Sequence, residues 1–369
     1  MLRKLVPWMR FDGLKPTAKA GPLQSRPEPD GTPLAEAAFT PNPGNLRMFR
    51  FLPEGLKAGA PLVVVLHGCG QTAGSYCAGA GWCELAAELG FAVLAPEQKA
   101  VNNPNTCFNW FSREDITRGE GECASIAAMV RMMVESDRLD ATQVFITGLS
   151  AGGAMAAAML STYPELFAGG AIIAGLPFGA AQNVREALEA MRSAPLKTPQ
   201  QWGDAVRAAS GYGGNRPRVS IWHGALDTVV NINNAQASVA QWADVHGLPL
   251  GTAKQELTDG AIRLSWGNQL EAYTIPALSH GTPIDSRDLG TPAPFVLDAG
   301  ISSTRHIAQF WGLAAAKSVA MPALSQLVTR PALQEMESAL APRTVQPAAD
   351  NLIRRALKAA TNLTSLLKG

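Results

Sequence analysis

The sequence lacks both a long apolar run and an excess of charge of either sign. No stretch approaches the roughly 18 apolar residues that a bilayer span needs. Lys and Arg number 31 against 30 Asp and Glu, so nothing indicates a nucleic-acid-binding surface. Residues 1–13 begin with the basic Arg3 and Lys4, but Pro7 and Arg10 break the apolar stretch that a secretory signal requires. We therefore predict a cytoplasmic protein with no nucleic-acid partner.

Cysteine is scarce, and its spacing does not suit a metal. The chain has five cysteines, none in a C-x-x-C pair and none beside a pair of histidines. We therefore expect no zinc site. An odd number of cysteines in a chain expected in the cytosol predicts mostly free thiols.

Apolar strands alternate with helical segments through the middle of the chain. The runs PLVVVLHG, AGGAIIAG and RVSIWHG are typical of strands buried on both faces. Strands that alternate with helices predict an α/β fold, with a mostly parallel central sheet and helices on both faces. Sites in such sheets lie beyond the carboxyl ends of the strands.

Composition divides the chain into three parts. Residues 1–44, rich in Pro, Gly and Ala, are predicted to be an extended or disordered leader, and 45–315 to be the main domain. Within that domain, 177–217 interrupts the alternation with two weak helices that form either a lid or a plain surface pair. Residues 316–369 are predicted to be a helical extension. Its last helix, 351–368, is amphipathic and suits docking on the domain or on an apolar surface.

The pentapeptide Gly-Leu-Ser-Ala-Gly at 148–152 stands between a predicted strand and a predicted helix. That context is the one a nucleophile elbow requires. Gly148 and Gly152 would make room for a tight turn that exposes Ser150. The Ala151 N–H would face a developing oxyanion. The alternative is a glycine-rich turn without a catalytic role.

A nucleophilic serine needs a histidine base that is oriented by a carboxylate, and in this fold they follow in the order serine, acid, histidine. His280 lies in a loop after a predicted strand and is the best-placed base. Asp227 follows the strand that ends in IWHG and is the best acid, and the alternative is a helix N-cap. His223 precedes the acid, His246 ends a helix, and His306 reads as a packing or surface residue.

The second oxyanion donor should come from the loop after the early strand. That strand ends in His-Gly-Cys-Gly-Gln at 67–71. The glycines allow the backbone to approach a substrate closely, and the Cys69 N–H is the predicted donor. The alternative is a plain turn that contains a buried thiol.

Seven separated motifs together resemble the poly(3-hydroxybutyrate) depolymerase family esterases, which are α/β-hydrolases related to feruloyl and acetylxylan esterases. The motifs, between about residues 46 and 313, are LHGCGQTAGSY, CFNWF, RGEGECASIAAMV, VFITGLSAGGAM, IWHGALDTVV, SHGTPID and GISSTRHIAQFWGL. The resemblance implies an α/β-hydrolase fold and a triad of Ser150, Asp227 and His280. It also implies an oxyanion hole formed by Cys69 and Ala151.

The resemblance further implies a disulfide between Cys69 and Cys107 that braces the oxyanion loop. Such a bridge conflicts with a cytosolic location. It leaves Cys77, Cys83 and Cys123, which we interpret as buried thiols.

Trp110 and Phe111 resemble aromatic residues that line the cleft of relatives. An aromatic wall suits an apolar polyester or a phenolic ester. Packing in the core would explain both residues as well.

The expected activity is that of a serine esterase acting through an acyl-enzyme, without a metal or organic cofactor. The preferred substrate is a short-chain hydroxyalkanoate polyester or its oligomers, with association to a polymer granule. The alternative substrate is a feruloyl or acetyl ester of a polysaccharide. A relative that only binds a ligand or coats a granule is the non-catalytic alternative. The sequence does not predict the oligomeric state.

Overall fold

The computed structural model describes residues 33–314, which a ten-stranded sheet organises. Two further short strands pair with each other outside that sheet. In chain order the strands are β1 Ala35–Ala37, β2 Arg47–Phe51, β3 Leu62–Leu66, β4 Ala92–Glu97, β5 Val144–Leu149, β6 Gly169–Ile173, β7 Arg218–Gly224, β8 Lys254–Thr258, β9 Ala261–Trp266, β10 Leu270–Ile275, β11 Thr282–Ile284 and β12 Val296–Asp298.

The strand order in the sheet is β1-β2-β4-β3-β5-β6-β7-β10-β9-β8. The inner strands from β4 to β10 pair in parallel, and the strands at both edges pair antiparallel. The predicted α/β-hydrolase class, with a mostly parallel central sheet, is confirmed. Because the carboxyl ends of β3, β5, β7 and β10 meet at one edge, the loops that follow them can share a site.

Helices cover both faces of the sheet. In chain order they are α1 Ala73–Gly79, α2 Trp82–Leu89, α3 Arg113–Ile116, α4 Gly121–Ser136, α5 Ala151–Thr162, α6 Val184–Arg192, α7 Pro199–Ser210, α8 Asn233–Val245 and α9 Ser303–Trp311. Strand β3 divides its apolar side chains between two cores, as a pleated strand buried on both faces must. Val63 and Val65 pack with α1, α2 and α9, whereas Leu62, Val64 and Leu66 pack with α4, α5, α7 and α8.

The sheet reaches upstream of residue 45, so the predicted boundary between leader and domain at residue 44 is wrong. Strand β1 lies within that leader and pairs antiparallel with β2. Arg47 joins the two strands through a hydrogen bond of 2.8 Å to Glu36. The Gly44 N–H donates to the Ser125 hydroxyl at 2.8 Å, and a Cβ at Gly44 would lie 2.5 Å from the Cα of Glu122. Residues 35–44 are therefore part of the sheet edge and its packing.

The interrupting segment, 177–217, forms helices α6 and α7 as predicted. Gln241 of α8 anchors it from inside: the side-chain amide accepts from the Phe178 N–H at 3.0 Å and donates to the Trp202 carbonyl at 3.1 Å. Trp202 is itself fully buried. These contacts hold the segment in the helical layer, which agrees with the alternative of a plain helix pair. The role of a lid stays a prediction.

Two predictions fall on residues that the structure does not describe. The extension at 316–369, with its amphipathic helix at 351–368, lies outside the described residues, as do residues 1–32. Within residues 33–314, none of the helices combines the length and the apolar character that crossing a membrane requires.

Candidate active site

Ser150 occupies a sharp turn between β5 and α5. Its backbone angles are φ 56° and ψ −115°, in a region that residues other than glycine rarely enter. The Ser150 N–H donates to the Ile173 carbonyl at 2.8 Å, and its own carbonyl accepts from the Ala154 N–H at 2.9 Å. Strain of this kind clusters at functional sites. The geometry is that of the predicted nucleophile elbow.

Close backbone contacts explain the glycines on either side of the serine. A Cβ at Gly148 would lie 2.4 Å from the carbonyl group of Gly152. A Cβ at Gly152 would lie 2.3 Å from the carbonyl oxygen of Leu66, at the end of β3. Neither position can take a side chain without displacing backbone. The glycines therefore make room for the turn, as predicted.

His280 and Asp227 form a buried pair beyond the ends of β10 and β7. The His280 Nδ1–H donates to Asp227 Oδ2 at 2.7 Å. The other oxygen, Oδ1, accepts from the N–H groups of Val229 at 2.9 Å and Val230 at 2.8 Å. The carboxylate therefore fixes the imidazole tautomer and also accepts hydrogen bonds from the turn after β7. Helix α8 has Ile232 at its N-cap, so the alternative interpretation of Asp227 as a helix N-cap is wrong.

A second histidine contacts the same carboxylate, and the sequence did not predict it. His223 Nε2 lies 3.3 Å from Asp227 Oδ2 and 2.8 Å from the carbonyl oxygen of Val230. A carbonyl only accepts, so Nε2 carries a proton. Burial alone would raise the pKa of Asp227, but the hydrogen bonds from His223 and His280 outweigh it and hold that pKa well below its usual range. Asp227 is therefore ionised at neutral pH.

The two other histidines that follow Ser150 in the chain make no hydrogen bond to Asp227 within residues 33–314. His246 follows the end of α8, and His306 lies within α9, where its Nε2 is 3.0 Å from Asp259 Oδ2. Both placements agree with the roles predicted for them.

Several contacts fix the loop that follows β3. The Cys69–Cys107 disulfide implied by the family resemblance is present, with a Cα–Cα distance of 4.3 Å. The Gly70 N–H donates to the Asn105 carbonyl at 2.9 Å. Gln71 Oε1 accepts from the Gly68 N–H at 2.8 Å. In the part of the chain that the structure describes, the N–H groups of Cys69 and Ala151 donate to no protein acceptor, which is how oxyanion donors must stand before a substrate binds.

The prediction of free thiols is wrong for two cysteines. Cys77 in α1 and Cys83 in α2 form a second disulfide, with a Cα–Cα distance of 6.0 Å. The two helices are joined by a tight turn that brings these side chains together, and α1 was not predicted. Cys123 is free and buried as expected, and burial raises the pKa of its thiol.

Trp110 belongs to the core. It is 7% exposed, and its ring contacts that of Phe111 edge-on at 5.4 Å between centroids. Phe111, by contrast, lines a surface groove of about 760 Å³. Burial favours the packing interpretation of Trp110, and its role in a cleft stays a prediction.

Glu122 is a buried carboxyl group that holds the segment before Trp110. Its Oε2 accepts from the Asn109 N–H at 2.9 Å, and its Oε1 accepts from the Asn109 side chain at 2.7 Å. Burial, with help from Asp115, raises the pKa of Glu122 to about 8, against the hydrogen bonds from Asn109 and Gln98.

Across residues 33–314, no group of three or more His, Cys, Asp or Glu side chains is arranged to hold a metal ion.

The sheet order and the serine turn place the protein in the α/β-hydrolase class. More narrowly, the chain belongs to the esterase PHB depolymerase family, whose model matches residues 47–259. Poly(3-hydroxyalkanoate) depolymerase C of Paucimonas lemoignei is 42% identical to it, over 74% of this chain and 69% of that protein. An acetylxylan esterase of Coprinopsis cinerea is 34% identical, over 67% of this chain and 68% of that protein.

A solved structure supports the same placement. The acetyl xylan esterase from Aspergillus awamori superimposes with a TM-score of 0.66 at 27% sequence identity. The likeness covers 76% of this chain and 99% of that chain. The protein is accordingly a hydrolase that acts on ester bonds.

Proposed function

We propose that the protein hydrolyses short-chain hydroxyalkanoate polyesters or their oligomers through an acyl-enzyme on Ser150. The buried His280–Asp227 pair, with Nδ1 and Oδ2 2.7 Å apart, is the observation that carries the proposal. It follows β10 and β7 at the same sheet edge as the serine turn after β5. The choice of polyester is supported by the 42% identity to a protein described as a poly(3-hydroxyalkanoate) depolymerase.

The first half of the reaction forms the acyl-enzyme. Ser150 Oγ attacks the ester carbonyl carbon while His280 Nε2 takes its proton, and the carbonyl electron pair moves onto oxygen. Asp227 stabilises the imidazolium through Nδ1–H. The tetrahedral intermediate then collapses, the bond to the alcohol oxygen breaks, and His280 returns the proton to the departing alkoxide.

The second half releases the acid. Water attacks the acyl-enzyme carbon while His280 Nε2 takes one of its protons. This intermediate then collapses, the bond from carbon to Ser150 Oγ breaks, His280 returns the proton to Oγ, and the carboxylic acid leaves. In both halves the Cys69 and Ala151 N–H groups donate to the oxyanion. Loss of one such donor commonly lowers kcat by about 10²–10³-fold.

An acetyl or feruloyl ester of a polysaccharide is the second candidate substrate. The structural likeness to an acetyl xylan esterase, at a TM-score of 0.66, favours it. Both substrates would use the same three side chains, so the fold does not decide between them and a direct comparison of substrates does.

Clearance of an amorphous poly(3-hydroxybutyrate) suspension by the purified full chain is the deciding experiment, with Ser150→Ala as the control. We expect clearing by the wild type and a loss of nearly all esterase activity in Ser150→Ala, which should remain folded. Hydrolysis of acetylated or feruloylated xylan without clearing would transfer the protein to the second substrate class. Normal turnover by Ser150→Ala would refute the assignment of the nucleophile, and an inert wild type that no fluorophosphonate labels would indicate a non-catalytic relative.

A polymer granule as a binding partner, and a cytoplasmic location, stay predictions. The two disulfides are more typical of an oxidising compartment, which weighs against the cytoplasm. Fractionation of the producing cells tests the location directly.

A further inference from the structure

An exposed aromatic residue with a strained backbone lies beside His280. Phe295 has φ 63° and is 37% exposed. Its ring meets the His280 ring edge-on, with centroids 5.9 Å apart. A bulky side chain at positive φ is an outlier, because its Cβ crowds the backbone, and glycine would fit this position with less strain.

Contacts from two sides maintain that backbone conformation. The Phe295 carbonyl accepts from the Thr282 N–H at 2.8 Å, two residues after His280. The neighbouring Pro294 carbonyl accepts from Gln71 Nε2 at 2.9 Å. The same Gln71 side chain accepts from the Gly68 N–H in the oxyanion loop at 2.8 Å.

The Phe295 ring therefore contacts the histidine, and the backbone next to Phe295 is bonded to the oxyanion loop through Gln71. Gln71 is buried and joins the two segments directly. In the proposed reaction the oxyanion loop and His280 Nε2 both face the carbon under attack. A ring that contacts His280 and is tied to that loop therefore stands on the side from which substrate approaches.

The chemistry then indicates which half of the ester the ring meets. His280 Nδ1 is occupied by Asp227, so the departing alkoxide must take its proton from Nε2. The alcohol portion of the ester must therefore lie within about 3 Å of that nitrogen when it leaves. An aromatic ring packed against the same imidazole offers that portion an apolar surface.

We propose that Phe295 is a substrate-contacting residue that binds the alcohol portion of the ester, which in a polyester is the next hydroxyalkanoate unit. Gln71 acts as a positioning residue for it. The inference rests on the proposed function, since it assigns a side of that same site. Strain at Phe295 is retained because the ring is needed where substrate binds, and not because the fold needs it.

The test compares two esters with the same acyl group and different alcohols. Methyl 3-hydroxybutyrate releases methanol, whereas the linear dimer of 3-hydroxybutyrate releases a second hydroxybutyrate unit. For Phe295→Gly we expect kcat/KM for the dimer to fall about tenfold further than kcat/KM for the methyl ester. Phe295→Tyr should restore the preference for the dimer. Leu196→Ser, which changes another exposed apolar residue, between α6 and α7, should leave both values as in the wild type.

Thermal unfolding separates this role from a structural one. Because glycine relieves the strain at positive φ, Phe295→Gly should unfold at the wild-type temperature or above it while it loses activity on the dimer. A lower unfolding temperature, or an equal loss on both esters, would overturn the proposal. Ser150→Ala is assayed in parallel: if it is inactive while Phe295→Gly keeps the wild-type preference, only this inference fails, whereas an active Ser150→Ala refutes the proposed function itself.

Discussion

His67 is held as a neutral imidazole at the base of the oxyanion loop, and this predicts how stability changes with pH. Its Nδ1 lies 2.7 Å from the Gly68 carbonyl, which only accepts, so Nδ1 carries the proton. The Gln98 N–H donates to Nε2 at 3.1 Å, so Nε2 must be unprotonated. The side chain is fully buried. A second proton, on Nε2, would create a buried positive charge. It would also point the Nε2–H at the Gln98 N–H, so that two hydrogen-bond donors face each other.

Burial lowers the pKa of His67 to about 4, although the bond to the Gly68 carbonyl opposes this. In the unfolded chain the value is about 6.5. As the pH falls, the unfolded chain therefore binds this proton first, and the stability present above pH 6.5 is lost towards pH 4. Linkage gives a loss of about 2 kcal/mol between pH 8 and pH 5, with a limit of about 3 kcal/mol at lower pH.

Urea unfolding of the wild type and of His67→Gln at pH 8 and pH 5 measures the contribution of His67 to the free energy of unfolding. Other groups titrate in both proteins, so they cancel in the difference. We expect the free energy of unfolding to fall by about 2 kcal/mol less in His67→Gln than in the wild type. Nitrogen NMR of the ring gives a direct reading, with His67 neutral at pH 5. The reasoning is wrong if the two proteins lose equal stability, or if the ring protonates near pH 6.5.

Two further substitutions test the close packing at the serine turn and the titration of a buried carboxyl group. Gly148→Ala places a Cβ 2.4 Å from the Gly152 carbonyl and should lower the free energy of unfolding by about 1–3 kcal/mol, measured by thermal unfolding. Gly213→Ala is the matched control, because a Cβ there would meet nothing within 4 Å. Equal unfolding temperatures in the two variants would contradict the argument. Glu122→Gln removes a group whose pKa is raised to about 8, so between pH 6 and pH 9 the wild type should lose more stability than the variant. Parallel pH profiles would show that Glu122 does not titrate in that range.

Local patterns in the sequence predicted much of the fold. Helix α2, Trp82–Leu89, is an element whose local signal is clear, since its apolar residues recur at helical spacing up to Gly90. The serine turn could be predicted because every nucleophile elbow brings the end of its strand close to the start of its helix, here β5 and α5. That close approach requires glycines on either side of the serine. The chain order of acid and base then selected Asp227 and His280 from their positions after strands.

Other elements depend on partners that local patterns do not show. Strand β1 has three residues, and only its pairing with β2 defines it. Helix α1 contains two glycines, which weaken a helix, and a capping box between Thr72 and Ser75 together with burial stabilises it. Without α1, the Cys77–Cys83 bridge could not be predicted.

The hairpin of β8 and β9 was missed although its signal is present. Asp259 and Gly260 connect the strands with φ angles of 47° and 80°. Positive φ at both central residues is the requirement of a type I′ turn, for which Asp-Gly is a preferred pair. The contact between His223 and Asp227, by contrast, has no local signal in the sequence. Whether the His223 side chain points towards that carboxylate depends on the packing around β7.

The oxyanion loop is held by segments from three separate parts of the chain. The disulfide ties Cys69 to Cys107, His67 ties the Gly68 carbonyl to the end of β4 through Gln98, and Gln71 ties the Gly68 N–H to Pro294. Oxyanion donors lower a barrier most when they need no rearrangement as charge develops. Because the three ties reach the loop from different directions, the Cys69 N–H, the predicted oxyanion donor, is oriented before substrate arrives. The same Gln71 contact that orients it also positions Phe295, so the proposed alcohol side of the site and its oxyanion side are built as one unit.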